Sequence, residues 1–279
     1  LTVQDIQICG VMLLLLEPKR NAKRMTKILV TGHKGFIGSY VFNHLRHDAG
    51  YGYLVDGMDF PDDVGDFQSE ISMFEKPYDY VIHLAAFANI RGSLDNPDVF
   101  WENNVEKSKP IFEYCKRYNV RLLYASSAQV EEWWQNPYGI TKKVNELQAP
   151  PNSVGMRFQT VYGENSRSDM LFRMLQDNTV KYITNHYRDW IHVKDVARAI
   201  CYLMTSTYTG HIDVGTGEAI GVKDLAEAFG YVNLPVKEST PGERDKTCAD
   251  TTALRELGWF PREKVLECIP EGKPNSFYR

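Results

Sequence analysis

Tyr138-Gly-Ile-Thr-Lys142 sets a phenol and an ammonium four positions apart. On a helix those positions share one face. A cation beside a phenol favours the phenolate and lowers its pKa. A tyrosine tuned in this way can take a hydroxyl proton while hydride leaves the same carbon. Ser127, at the end of an apolar run, offers a second hydroxyl to the same substrate oxygen. A second constellation is Thr31-Gly-His-Lys-Gly-Phe-Ile-Gly38, with Gly32, Gly35 and Gly38 spaced as GxxGxxG between an apolar β-rich run and a helical stretch that opens with Phe36 and Ile37. Missing side chains let the backbone approach a pyrophosphate, and the helix N-terminus supplies N–H donors and a positive dipole end. A dinucleotide held there wants a carboxylate after the second strand for its adenosine ribose. Asp59, 21 positions past Gly38, is expected to fill that role, with Asp56 as its competitor. A carboxylate repels a 2′-phosphate, so the cofactor expected is NAD; His33 and Lys34 in the loop argue mildly for NADP.

These groups need a scaffold that brings strand ends together. Short apolar runs at 27–31, 53–58, 78–84, 120–126, 153–157 and 210–214 read as strands. Helical patterns run from 36 to about 46 and over 97–118, 137–148 and 194–204. Alternation of strand and helix indicates parallel βαβ units. The fold expected is α/β, a Rossmann doubly wound parallel sheet with a smaller C-terminal α/β substrate lobe. The expected boundaries are an extension over 1–24 and a dinucleotide-binding domain over 25–160, completed by about 190–217. The lobe is then built from 161–189 and 218–279. Residues 8–16 form an apolar run too short to span a bilayer, which takes about 20 residues. Asp5 precedes it where a secretory signal wants positive charge, so the stretch reads as an upstream extension with Met25 as the natural first residue, a peripheral anchor or an added edge element being the alternative.

Composition bounds the rest. The 279 residues carry 43% hydrophobic and 24% charged side chains, enough apolar surface for a sizeable core. A net charge of -4 argues against a nucleic-acid partner. The five cysteines are odd in number and none are spaced as metal ligands, which fits a reducing, cytoplasmic setting with no metal site and no membrane partner. His186 and His192 have no carboxylate or cysteine at a spacing that completes a ligand set. His83 reads as a packing residue, and Trp133-Trp134 as a cover for the pocket mouth or a subunit contact.

The motifs resemble an extended short-chain dehydrogenase/reductase of the NAD-dependent nucleotide-sugar epimerase/dehydratase family, UDP-glucose 4-epimerase-like, from Met25 to about Arg262. The opening Met25-Thr-Lys-Ile-Leu-Val-Thr-Gly-His-Lys-Gly-Phe-Ile-Gly-Ser39 is similar to the family's first βα unit. Asp79-Tyr-Val-Ile-His-Leu-Ala-Ala86 resembles the strand whose backbone, here Leu84, Ala85 and Ala86, lies along the cofactor. Asn104 in Glu102-Asn-Asn-Val105 resembles the asparagine that supports the catalytic region and is expected beside the cofactor. Asp66, after Gly65, resembles the residue that caps the adenine edge. The resemblance implies Ser127, Tyr138 and Lys142 as catalytic residues, with the last two also holding the nicotinamide ribose. It places Ser93, Ser127 and Thr160 on the sugar nucleotide, and Arg188, in Arg188-Asp-Trp-Ile-His-Val-Lys-Asp-Val196, on its phosphates. It also implies a homodimer, paired through the stretches 99–118 and 138–148.

The chain departs from the pattern in four places. Only 11 positions separate Ser127 from Tyr138, Glu131-Glu132 replace a Tyr-Gly pair, Thr160 stands for an asparagine, and the second phosphate arginine expected near Thr240 has Arg244 as its nearest candidate. Related 4,6-dehydratases carry an acidic pair beside the catalytic hydroxyl, where this chain has Ala128-Gln129. The resemblance therefore implies epimerisation of a nucleotide-sugar through a 4-keto intermediate. A dehydratase, a reductase and a catalytically weak NAD-binding module remain the alternatives.

Overall fold

The computed structural model describes residues 25–48, 52–59, 78–238 and 240–269, which leaves Asp66 and the stretch 1–24 outside the described residues. In chain order the strands and helices are β1 (Lys27–Thr31), α1 (Phe36–Asn43), β2 (Leu54–Met58), β3 (Tyr80–His83), α2 (Ile90–Asp95), α3 (Pro97–Asn104), α4 (Lys109–Tyr118), β4 (Arg121–Ser127), α5 (Pro137–Gln148), β5 (Ser153–Phe158), β6 (Thr160–Tyr162), α6 (Leu171–Gln176), β7 (Ile183–Thr184), β8 (Tyr187–His192), α7 (Val193–Thr205), β9 (Gly210–Val214), β10 (Ala219–Gly221), α8 (Val222–Ala228), β11 (Val236–Lys237) and α9 (Thr252–Glu256).

Six parallel strands form the main sheet in the order β2-β1-β3-β4-β5-β9. The strand order reverses between β1 and β3, and in doubly wound sheets ligands bind at the carboxyl ends of the strands at such a point. The strands read as continuous apolar runs because both faces are covered. Successive side chains then enter different cores. Ile28, Val30, Ile82 and Leu123 pack with Val41 of α1 and Val196, Ile200 and Leu203 of α7. Leu29, Val81 and Leu122 pack on the other face with Ile111, Phe112 and Cys115 of α4.

A separate cluster of Tyr162, Phe172, Leu175, Ile183, Trp190, Val222, Leu225 and Phe229 gives the smaller lobe its own core. Its strands are β10-β8-β6 and the pair β11-β7. Part of the stretch assigned to this lobe packs elsewhere, while Val265 belongs to the lobe cluster. Leu254 and Trp259, both 0% exposed, join the main-sheet cluster with Met156, Ile212 and Val214. Apolar burial against that sheet draws this stretch away from the lobe.

Two helical expectations are refined. The pattern over 97–118 resolves into α3, a 3₁₀ turn at Glu106–Ser108, and α4. Pro110, in the first turn of α4, lacks the N–H that would continue a helix from α3. The helix from Phe36 ends its α-type winding at Asn43 and continues as a π turn over His44–Asp48. The surfaces expected to pair two copies carry exposed Val99, Trp101, Tyr118 and Leu147. No helix among the described residues is long and apolar enough to cross a membrane.

Candidate active site

Ser127 ends β4, and the chain does not run straight from there to Tyr138. It winds in 3₁₀ turns over Ala128–Gln135, with a break at Glu132, and the Ser127 hydroxyl caps the start by accepting the Gln129 N–H at 3.2 Å. Asn136 then starts α5 by accepting the Gly139 N–H at 2.6 Å, and Pro137 occupies the first turn, where its missing N–H has no intrahelical acceptor to lose. This compact connection absorbs the short spacing and leaves Tyr138 within hydrogen-bonding reach of Ser127. Lys142, one turn on, donates to the Ala125 carbonyl at 2.8 Å and lies 5.7 Å from the centre of the Tyr138 ring. All three side chains are buried and line one cavity.

Their electrostatics differ from the expectation that Lys142 would hold Tyr138 ionised. Burial raises the Tyr138 pKa, and the opposing pulls come from the Ser127 hydroxyl and from Arg167. Burial also lowers Lys142 to about 7, so near neutral pH its positive charge is only partial. His83 sits behind this group, as expected of a packing residue. The Ser108 hydroxyl donates to the Asn104 carbonyl at 2.7 Å, so it must accept from His83 Nε2 at 2.9 Å. That leaves His83 Nδ1 to accept from the Thr31 hydroxyl at 2.7 Å. Burial, with Lys142 second, pushes His83 down to about 3, so it stays neutral.

Two other residues anchor α5. Asn104 is fully buried; its Oδ1 accepts the Phe87 N–H at 2.8 Å, and its amide donates to the Phe87 carbonyl at 3.0 Å and to Thr141 at 3.1 Å. Glu146 receives two bonds from Arg157, at 2.8 and 2.9 Å, and one from the Ser126 hydroxyl at 2.7 Å. Helix α5 is thus tied to β4 and β5 at the residue next to Ser127, where Ser126 and Arg157 are register partners.

The glycine loop joins the same cavity, which has a volume of about 910 Å³ and is lined by Gly32, Gly35, Phe36, Ile37, Gly38, Leu84 and Ala86 along one wall. Gly32 has φ +74°, and a Cβ there would lie 2.7 Å from the Ala85 nitrogen. A Cβ on Gly38 would lie 1.9 Å from the Gly32 carbonyl oxygen, so helix and loop meet at a distance only glycine permits. The amides of Phe36 and Ile37, in the first turn of α1, have no intrahelical acceptor, and both residues line the cavity. This cradle fits the pyrophosphate of a dinucleotide. Asp59 follows β2 and accepts the Lys34 N–H at 2.8 Å, at the edge of the loop, whereas Asp56 accepts the Tyr78 hydroxyl at 2.9 Å.

Thr160 and Arg188 also line the cavity. Five expected contacts do not line the cavity, and one of them is Asp59, at the edge of the glycine loop. Ala85 packs behind Gly32, and Asn104 lies behind the cavity with its amide already engaged. Ser93 is fully buried and accepts the Tyr138 N–H at 3.1 Å. Arg244 is held by Glu131 at 2.7 Å, Glu132 at 3.2 Å and the Ala128 carbonyl at 2.9 Å and does not line the cavity. The Glu131-Glu132 pair that breaks the family pattern supplies two of those contacts. Trp133 and Trp134 are exposed and do not line the cavity. Sequence inspection missed Arg91, Arg167 and Glu243, all cavity-lining and all on segments without hydrophobic periodicity. Among the described residues no cluster of three His, Cys, Asp or Glu side chains is placed to hold a metal ion.

Several known proteins are similar to this chain. Protein CapI of Staphylococcus aureus is 31% identical over 232 residues, covering 64% of this chain and 69% of that protein. A putative UDP-glucose 4-epimerase of Methanocaldococcus jannaschii is 26% identical over 294 residues, covering 87% and 95%. The solved structure of MoeE5 in complex with UDP-glucuronic acid and NAD aligns with a TM-score of 0.72 at 26% identity, covering 86% of this chain and 95% of that one. The UDP-N-acetylglucosamine 4-epimerase of Methanobrevibacter ruminantium shares the fold, with a TM-score of 0.71 at 22% identity and coverage of 87% and 95%. Residues 28–215, more than half of the sequence, match the family profile, and the chain belongs to the NAD dependent epimerase/dehydratase family.

Proposed function

We propose that this protein epimerises a nucleotide-activated sugar at C4 through a transient 4-keto intermediate. The observation that carries this is the meeting of Ser127, Tyr138 and Lys142 in a cavity whose positions beside Ser127 are Ala128 and Gln129. Elimination of water from a 4-keto sugar needs a base for the C5 proton and an acid for the leaving C6 hydroxyl, and neither Ala128 nor Gln129 can serve as either. Bound NAD supplies reversible hydride acceptance at the sugar carbon. The glycine cradle would hold its pyrophosphate and Asp59 its adenosine ribose.

The chain's own contribution is proton handling and exclusion of water. Tyr138 accepts the C4 hydroxyl proton, with Ser127 bonded to the same oxygen, and returns it when the sugar has turned. Burial keeps the free phenol protonated, so the step requires the tyrosine pKa to fall when cofactor and sugar are in place. Lys142, held by the Ala125 carbonyl, is positioned to supply that charge.

The test is to incubate the purified protein with UDP-, GDP-, dTDP- and CDP-sugars and identify products by mass and NMR. An isomeric product with no net NADH or NADPH consumption supports epimerisation. A 4-keto-6-deoxy product, or stoichiometric loss of reduced cofactor, would replace it with a dehydratase or reductase. NAD binding without any turnover would indicate a binding module.

A further inference from the structure

Behind the active site a line of buried hydrogen bonds runs from the glycine cradle to α5. The Ala85 N–H, packed against Gly32, donates to the Thr31 hydroxyl at 3.4 Å. Thr31, at the end of β1, donates to His83 Nδ1, and His83 Nε2, at the end of β3, donates to Ser108 in the turn between α3 and α4. Ser108 donates in turn to the Asn104 carbonyl, and Asn145 of α5 donates to the same carbonyl at 2.8 Å. The Asn104 amide reaches Thr141, whose hydroxyl donates to the Tyr138 carbonyl at 2.8 Å. Thr31, His83, Ser108, Asn104, Thr141 and Asn145 are each no more than 6% exposed. From Ala85 to Asn104 every donor points the same way. Bonds aligned like this polarise one another, and a missing member leaves buried neighbours unpaired. His83 also meets Phe112 edge-on, with ring centroids 6.1 Å apart. Packing alone would need only that ring, whereas the bonds need one acceptor and one donor nitrogen.

Resting on the roles proposed for Tyr138 and Lys142, we propose that His83 is a positioning residue whose two ring nitrogens fix the glycine cradle relative to α5. A dinucleotide held in the cradle and the phenol of Tyr138 then keep one relation to each other. His83 does not line the cavity, so it acts only through this line of bonds. It acts as a single tautomer, because the Ser108 proton is committed to Asn104 and Nε2 must carry its own. Burial, with the Lys142 charge second, keeps a further proton off Nδ1, so the line holds through the neutral range.

The experiment compares the full-length wild type with His83→Phe, His83→Gln and Ser108→Ala. Phenylalanine keeps a ring beside Phe112 and removes both nitrogens, whereas glutamine restores one acceptor and one donor. The readouts are nitrogen NMR of the His83 ring, the NAD dissociation constant by calorimetry, and kcat and KM on the nucleotide-sugar that wild type converts, with thermal midpoints recorded throughout. The ring should show the neutral Nε2–H tautomer through the neutral range. His83→Phe should bind NAD about twofold or more weakly, as expected where members of one hydrogen-bond network are coupled. Its kcat should fall toward the roughly 10²-fold that a misplacement of about 1 Å brings, with KM little changed. His83→Gln should recover most of both losses, and Ser108→Ala should weaken NAD binding although Ser108 does not line the cavity. A charged ring or an Nδ1–H tautomer overturns the proposal, and so does His83→Phe with unchanged NAD affinity or unchanged kcat. Equal losses in His83→Phe and His83→Gln overturn it too, since shape and not hydrogen bonding would then decide. If wild type converts no sugar, the reading of Tyr138 and Lys142 fails, while the ring tautomer and the NAD affinities still decide the role of His83. Should His83→Phe not fold, unchanged NAD affinity in Ser108→Ala is the overturning result.

Discussion

Ser93 reaches from α2 to accept the backbone N–H of Tyr138 at 3.1 Å, while its own hydroxyl proton goes to the Ile90 carbonyl at 2.6 Å. The first N–H groups of a helix have no intrahelical acceptor. Here a side chain 45 positions earlier in the chain satisfies the one that belongs to the proposed catalytic tyrosine. Ser93 is thereby a positioning residue, acting on the substrate only through Tyr138.

Ser93→Ala leaves that buried N–H without an acceptor. Removal of such a cap costs about 0.5–2 kcal/mol. A denaturant titration should show a loss in that range, and NAD retention should be unchanged because no cofactor wall is touched. Turnover should fall more than the Michaelis constant rises, since the tyrosine and not the binding cavity has been loosened. A variant as stable as wild type would show that the bond is not maintained in solution.

Asp59 and Asp56 separate by their surroundings. The Asp56 carboxylate is engaged by Tyr78, a bond that also raises the phenol's pKa. Asp59 stands at the glycine loop. Asp59→Asn should therefore relax the preference for NAD over NADP, measured as the ratio of dissociation constants. Asp56→Asn should mainly lower the unfolding midpoint. Reversed outcomes would move the ribose carboxylate three positions back along the chain.

Glu146 ties the catalytic helix to the sheet through Arg157 and Ser126, and those bonds hold its pKa below the usual carboxylate range against the effect of burial. A carboxyl depressed in the folded state stabilises it above the ordinary value near 4.3, and that contribution is lost as pH falls through the lower folded value. Breaking a buried pair costs about 3–5 kcal/mol. The loss for Glu146→Gln should lie at the lower end, because Arg157 keeps 25% of its side chain in solvent and the amide can still accept from it. Denaturant midpoints measured from pH 7 down to about 3 should converge for wild type and variant as Glu146 protonates. A gap that stays constant over that range would show that the charge is not what matters.

The main sheet was legible because each strand is a short apolar run whose period changes at a glycine, proline or asparagine. The run at 27–31 gave β1 without adjustment, and Pro137 with Gln148 bounded α5 correctly. Local signals ended at the three-stranded sheet of the lobe, since β6 and β10 have only three residues each. Such segments are strands because β8 pairs with them, which no local pattern encodes. The cavity was legible where a motif fixes spacing along one element, as for Tyr138 and Lys142. It was not legible where partners converge from different elements. Arg91 and Glu243 meet across 152 positions, and Arg244 is lost to the cavity through a pair of glutamates that sequence spacing alone does not bring to it.

Tyr138 carries the largest expected effect. Its hydroxyl lies within reach of Ser127, in a cavity that also holds Lys142, and burial alone makes it a poor base. Tyr138→Phe removes the proton acceptor and leaves the ring, whose packing is unchanged. Turnover should fall by about 10²- to 10⁴-fold, the range general acid–base catalysis supplies. NAD should remain bound, because the glycine cradle and Asp59 are its proposed anchors. Ser127→Ala should be milder, since water can take the place of a hydroxyl beside the same oxygen. The pH profile gives a second readout. If Tyr138 is the base, the wild-type rate should climb with pH until the phenol of the loaded enzyme is ionised, and this limb should vanish in the residual activity of Tyr138→Phe. Undiminished turnover in that variant, or an unchanged alkaline limb, would assign the proton to another group.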